Sequence, residues 1–127
     1  MLETDIMDII EAVWEEKLDA LDIKWSDKSC ACVVMASGGY PEKYETGKVI
    51  SGLDENGQCE GAFVYHAGTK LEDGKFLTAG GRVLGITAYG DTLKEALDTA
   101  YKAVDTISFE KAHYRHDIGK KALSALK

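Results

Sequence analysis

Residues 61–88 read GAFVYHAGTKLEDGKFLTAGGRVLGITA, and this stretch decides the fold. Three short apolar runs, Gly61 to His66, Lys75 to Thr78 and Arg82 to Ala88, are separated by glycine-bearing turns. Glu72-Asp73-Gly74 between the first two runs is a hairpin signal. The pattern predicts consecutive antiparallel strands. Pairing about this turn sets residues opposite one another where their numbers sum to about 147, which puts His66 across from Gly81 and beside Arg82.

Upstream, Cys30 to Ala36 (CACVVMA) predicts a short strand buried on both faces, ended by Ser37-Gly38-Gly39-Tyr40-Pro41. Lys48-Val49-Ile50 predicts another short strand, and Asp54-Glu55-Asn56-Gly57 carries the Asn-Gly signature of a tight turn. Downstream, Asp91 to Ile107 predicts a helix. Thr92 and Glu95 form its capping box, and Leu93, Ala96, Leu97, Ala100, Tyr101, Val104 and Ile107 its apolar stripe. The tail from Asp117 is weakly helical, with Ile118, Ala122, Leu123 and Leu126 on one side. At the other end, Thr4 to about Leu18 predicts a helix with Thr4 as N-cap. Leu18 to Asp27 follows as a connection anchored by Trp25. Strands between terminal helices define an α+β domain, a small antiparallel sheet or half-barrel flanked by N-terminal and C-terminal helices. No boundary falls within residues 28–118.

The 127 residues are 45% hydrophobic and 29% charged, as expected of one globular domain with its own core. The net charge of −7 argues against nucleic acid as a partner. No apolar stretch approaches a membrane span, and the acidic start lacks the basic region of a secretion signal, so the expected location is cytoplasmic. A small phosphorylated ligand stays compatible with this charge, because one arginine beside free backbone N–H groups holds a phosphate. Cys30 and Cys32 point the same way on their strand, and Cys59 stands apart. The spacing is neither that of a zinc site nor of a redox pair, so buried free thiols in a reducing compartment are expected.

Three glycine loops gather the chemistry: Ala36 to Pro41, His66-Ala67-Gly68-Thr69-Lys70, and Ala79-Gly80-Gly81-Arg82. They predict a site lined by small residues, with the Gly80 and Gly81 amides and the rigid fork of Arg82 facing an anion. Lys70 and Thr69 add a charge and a hydroxyl. The same residues also read as plain structure, a bulge at Gly80-Gly81 and a strand-ending turn at Ser37 to Pro41. Ser37 lies outside any nucleophile elbow. His113-Tyr114-Arg115-His116 lacks the further ligands a metal needs and reads as an exposed segment or a contact with another domain. Neither standard nucleotide-binding fingerprint is present, nor is the Met-Lys-Met of a biotin carrier.

These motifs, in this order, resemble one family. Ala31 to Pro41, Tyr44 to Ile50, His66 to Lys70, Gly80 to Gly85, Gly90 to Leu93 and His113 to Gly119 are similar to the C-terminal domain of the phosphoribosylamine–glycine ligases, also called glycinamide ribonucleotide synthetases. The match runs over nearly the whole chain. Tyr89, where leucine is expected, and the Gln58-Cys59 turn depart from the pattern without consequence. The resemblance implies an ATP-dependent step of purine synthesis, in which glycine is activated as an acyl phosphate and attacked by the amine of 5-phosphoribosylamine. It implies that an ATP-grasp domain holds ATP and Mg²⁺ or Mn²⁺, that neither is bound here, and that this chain alone is not catalytic. Residues 1–27 resemble the last helix of that ATP-grasp domain, leaving residues 28–127 as the C-terminal domain. The implied partners are the enzyme's own N-terminal and ATP-grasp domains and its small-molecule substrates, and surface facing the absent domains should show as an apolar patch. In this reading Arg82, Lys70, Gly80 and Gly81 hold the phosphoribosyl end, His66 and Thr69 line the same wall, and Ser37 and Tyr40 shape a neighbouring loop. The competing reading is a stand-alone, non-catalytic binding module on the same scaffold.

Overall fold

The computed structural model describes residues 1–125. Five strands follow the first helix: β1 (Ser29–Ala36), β2 (Phe63–His66), β3 (Thr69–Glu72), β4 (Lys75–Thr78) and β5 (Arg82–Gly90). Helix α1 (Ile6–Trp14) precedes them, and α2 (Leu93–Thr106) and α3 (Lys120–Ala125) follow. β1, β5 and β2 form an antiparallel sheet in that order, and β3 and β4 form a separate hairpin. The architecture is the expected α+β arrangement.

The core lies between the three-stranded sheet and α2. Ala31, Val33 and Met35 of β1 and Val83, Leu84, Ile86 and Ala88 of β5 are buried there. They meet Ala96, Leu97, Ala100, Ala103 and Val104 of α2. The three alanines let the helix lie close to the sheet, so each buried Val or Leu gains its full transfer energy of about 1.5–3 kcal/mol. The capping box is present: Thr92 Oγ1 accepts from Glu95 N at 3.2 Å, and Glu95 Oε2 accepts from Thr92 N at 3.3 Å. Thr92→Ala is therefore expected to destabilise the domain by about 1 kcal/mol, read as a lowered urea midpoint at unchanged slope.

Other details differ from the sequence reading. β1 is buried on one face only; Cys30, Cys32 and Val34 face outward and are exposed. An apolar run tells a two-sided strand from a one-sided strand only if both layers are known, and among the described residues α2 supplies the main cover on one side. The expected register holds in the hairpin, from Thr69↔Thr78 to Glu72↔Lys75. It fails for β2, where His66 pairs with Leu84 instead of Gly81. The reason is that Ala67-Gly68 and Ala79-Gly80-Gly81 lie outside the strands and carry the chain from one sheet to the other. Gly68 N donates to Arg82 O at 2.9 Å and Ala79 N to Gly68 O at 2.7 Å across this crossing. Val49 makes a single bridge to Leu77, with no full strand around it.

Helix α1 is capped by Asp5, whose Oδ1 accepts from Met7 N at 2.8 Å. Thr4, the expected cap, instead accepts from Lys24 N at 2.7 Å. Trp25 pairs through its backbone with Leu2 and leaves its side chain exposed, so it is no anchor. α1 packs chiefly on the 3₁₀ turn Leu18–Ala20, and none of its residues is buried. The expected tail helix is present as α3; Leu126 lies outside the described residues. Among those residues no helix is long and apolar enough to cross a membrane.

Candidate functional site

The crossing between the sheets is held from one side by the loop after β1. Ser37 Oγ donates to Gly80 O at 2.8 Å, and Ser37 N donates to Gly81 O at 2.8 Å. Ser37 is only 2% exposed, so its hydroxyl is spent on this bond and is no nucleophile. The Tyr40 ring lies against Gly81; a methyl group built there would run into Tyr40 Cδ2. Gly81 is thus required for close approach. Beyond Tyr40, Lys48 Nζ spans Glu45 at 2.9 Å and Glu110 at 3.1 Å, a surface clip on the same loop.

With the glycine pair pinned, Arg82 begins β5 with its side chain exposed. Among the described residues its guanidinium has no ion pair and no hydrogen bond. The N–H groups of Gly80 and Gly81 likewise make no hydrogen bond among those residues. Arg82 rims a depression of about 410 Å³ shared with Val34, Tyr65, His66, Ala67, Leu84 and Gly85. Gly85 pairs with both Val34 and Tyr65, so it forms the low floor between two taller side chains.

His66 borders this depression, but both ring nitrogens are engaged. Nε2 stands 2.8 Å from Gly57 O and Nδ1 2.9 Å from Thr69 Oγ1. A carbonyl only accepts, so Nε2 carries a proton, and in the neutral ring Nδ1 accepts from the Thr69 hydroxyl. The pair ties the crossing to the turn at Asp54 to Gly57, and the His66 ring sits 5.0 Å from that of Phe76. Lys70 is on the hairpin and pairs with Glu72; it does not line the depression. The structure therefore groups Arg82, Gly80, Gly81, Ser37 and Tyr40, attaches His66 and Thr69 at one border, and leaves Lys70 apart. Tyr65, Val34 and Gly85 were not singled out from sequence. The alternation of Phe63 and Tyr65 along β2 is the signal that could have marked that face.

A larger depression, about 740 Å³, runs beside α3 from Arg115 to Ser124. Its guanidinium is already taken: Arg115 Nε and Nη2 donate to the two Asp117 oxygens at 2.9 and 2.8 Å. Arg82 is the unengaged one, so the chemistry favours the smaller depression. Among the described residues no three His, Cys, Asp or Glu side chains gather to hold a metal ion.

The cysteines correct the expectation of buried thiols. Cys30 and Cys32 are exposed, and Cys59 is half-buried, its thiol pushed upward in pKa chiefly by burial. Iodoacetamide at mildly alkaline pH is expected to modify Cys30 and Cys32 first, with Cys59 slower by about tenfold, followed by peptide mass spectrometry.

Three helices and two small antiparallel sheets, with an unengaged arginine beside a glycine crossing, define a small α+β domain. The comparisons make this particular. Residues 30–121 match the family described as "Phosphoribosylglycinamide synthetase, C domain", and the chain belongs to that family. The phosphoribosylamine–glycine ligase of Caldanaerobacter subterraneus subsp. tengcongensis is 52% identical over 93% of this chain and 28% of that protein. That of Chlorobaculum tepidum is 48% identical over 97% of this chain and 29% of its own length. The "Bifunctional purine biosynthetic protein purD" of Dictyostelium discoideum is 45% identical over 99% of this chain and 16% of its own. The crystal structure of the Thermotoga maritima phosphoribosylamine–glycine ligase superposes with a TM-score of 0.68 at 32% identity, covering 86% of this chain and 27% of that one. The chain thus spans under a third of the length of these relatives.

Proposed function

We propose that this chain serves as the C-terminal domain of a phosphoribosylamine–glycine ligase, which joins glycine to 5-phosphoribosylamine with consumption of ATP to give glycinamide ribonucleotide. One observation carries its part in that reaction: the Arg82 guanidinium stands unengaged at the rim of a depression, directly after Gly80 and Gly81 in the chain. A guanidinium fork and paired amides match the geometry of a phosphate monoester. Arg82, Gly80 and Gly81 hold the phosphate of the phosphoribosyl group. Ser37 and Tyr40 keep the glycines in place, and His66 with Thr69 fixes the far side of the crossing. Lys70 would have to leave Glu72 to contribute, a modest change for an exposed pair.

ATP, with Mg²⁺ or Mn²⁺, supplies the phosphoryl group when bound. The described residues of this chain offer it neither a nucleotide fingerprint nor a metal-ligand cluster. The domain alone is not catalytic in this reading. Residues 1–27 belong to the preceding ATP-grasp domain, a reading supported by the exposed apolar side chains Ile6, Met7, Ile10, Val13 and Trp14 on α1, Trp14 at 89% exposure. The enzyme works in the cytoplasm, with its own N-terminal and ATP-grasp domains as partners. The relatives named are biosynthetic enzymes, which favours this reading over a stand-alone binding module.

The test is titration of the ¹⁵N-labelled chain with glycinamide ribonucleotide, with glycinamide lacking the phosphoribosyl group as control. The expected result is saturable shifts at the Gly80 and Gly81 amides and the Arg82 side chain with the ribonucleotide alone. Shifts confined to other residues would remove the phosphate assignment.

A further inference from the structure

The chain holds one asparagine and one glutamine, Asn56 and Gln58, and both stand in the turn before β2. Gln58 is spent on structure. Its Nε2 donates to Val64 O at 3.0 Å and its Oε1 accepts from Val64 N at 2.9 Å, so the side chain lies along β2 like a strand partner. Asn56 is exposed in the turn, and the residue after it is Gly57. Asparagine is among the thermolabile residues. A glycine after it leaves the backbone nitrogen open to the side-chain amide, because no Cβ shields the approach.

The fold cannot dispense with this glycine. Gly57 has φ of 74°, in the left-handed region. A methyl group built on it would stand 2.5 Å from His66 Nε2 and 2.9 Å from Phe76 Cζ. The turn instead holds the Asn56-Gly57 peptide still. Asn56 N donates to Asp54 Oδ1 at 2.9 Å, and the same oxygen accepts from Gln58 N at 2.8 Å. Gly57 N donates to Asp54 O at 3.0 Å, and Gly57 O accepts from His66 Nε2 at 2.8 Å. Both backbone polar groups of the buried Gly57 are therefore tied, its N–H to the turn and its C=O to His66.

We propose that Asn56 is a site of spontaneous deamidation and that the bond from His66 to Gly57 sets its rate. When the turn opens, Gly57 N gives its proton to solvent hydroxide and attacks Asn56 Cγ. The new N–C bond closes a succinimide ring, and the side-chain nitrogen takes up a proton and leaves as ammonia. Water then adds to one of the two imide carbonyls and breaks its bond to nitrogen. One opening gives aspartate; the other gives isoaspartate, whose main chain is longer by a methylene. Either product adds a negative charge beside Asp54 and Glu55. Isoaspartate also carries Gly57 O away from His66 Nε2. The ring, which borders the Arg82 depression, is then held by Thr69 Oγ1 alone. The chemistry of one exposed turn thus reaches the edge of the candidate site.

In the test, the chain is incubated at mildly alkaline pH and acid formation at position 56 is followed by peptide mass spectrometry. A synthetic peptide of residues 51–61 is the unlocked reference. The parent chain is expected to convert more slowly than the peptide. His66→Ala removes the donor to Gly57 O and should convert about 5- to 30-fold faster than the parent, as for the loss of one such bond. Thr69→Val removes the hydroxyl that orients the ring and should speed conversion by about 2- to 5-fold. It decides the matter where His66→Ala does not fold. Thr92→Ala weakens the domain away from the turn and should convert at the parental rate, because the turn opens locally. A parent chain that converts as fast as the peptide overturns the proposal. So do His66→Ala and Thr69→Val chains that convert at the parental rate, or that stay unmodified with the parent while the peptide converts. A Thr92→Ala chain as fast as His66→Ala overturns it too, since global unfolding and not the His66 bond would then open the turn.

Discussion

Replacing Arg82 with alanine in the assembled ligase is expected to raise the KM for 5-phosphoribosylamine by about 10- to 100-fold and to leave the KM for ATP nearly unchanged. The magnitude follows from the loss of charge-assisted hydrogen bonds to a phosphate, about 1.5–3 kcal/mol. The selectivity follows from position. The guanidinium makes no internal ion pair among the described residues, so its removal leaves nothing buried and unpaired, and the melting temperature should stay within a degree or two of the parent. Arg82→Lys should recover only part of the loss, because an ammonium restores charge without the bidentate fork. Steady-state kinetics with each substrate varied in turn decides the matter. Equal increases in both KM values would mean that Arg82 supports the cleft as a whole and does not meet the phosphoribosyl group.

The elements that were legible in the sequence are those whose signals are local. Thr92 and Glu95 announce the start of α2 because a capping box is complete within four residues. Asp73-Gly74 fixes the β3–β4 hairpin because both residues take positive φ there, 49° and 74°. Register breaks are not local. Two glycine segments outside the strands cooperate to move the chain between sheets, and counting outward from the turn carries the hairpin's register past the point where it ends, which misplaced His66. The exposure of Cys30 and Cys32 was hidden for a similar reason: an apolar run reads the same whether one face or both are covered, and among the described residues α2 supplies the main cover on one side. Arg82 stood out in the sequence as a cation directly after a glycine pair, at the start of an apolar run. The work of Ser37 and Tyr40 could not, because the bond from Ser37 to Gly80 spans forty-three positions of sequence.

The crossing also sets the position whose smallest change should cost most in stability. A methyl group on Gly68 would lie 2.6 Å from Gly80 Cα, 2.7 Å from Arg82 O and 2.8 Å from Gly80 N. All three are backbone atoms, so no side chain can rotate away, and the two strands of the crossing must part. Parting them weakens the bonds from Gly68 N to Arg82 O and from Ala79 N to Gly68 O. Gly68→Ala is expected to destabilise the domain by about 2–4 kcal/mol, combining overpacking with the weakened hydrogen bonds. Gly74→Ala is the control. Gly74 has φ of 74° but nothing within 4 Å, so conformational strain acts there alone and the cost should be about 1 kcal/mol. Urea denaturation of both variants separates the effects. A Gly68→Ala protein no less stable than Gly74→Ala would show that the two segments do not lie in contact, and with that contact would go the support for the proposed placing of Arg82 at the start of β5.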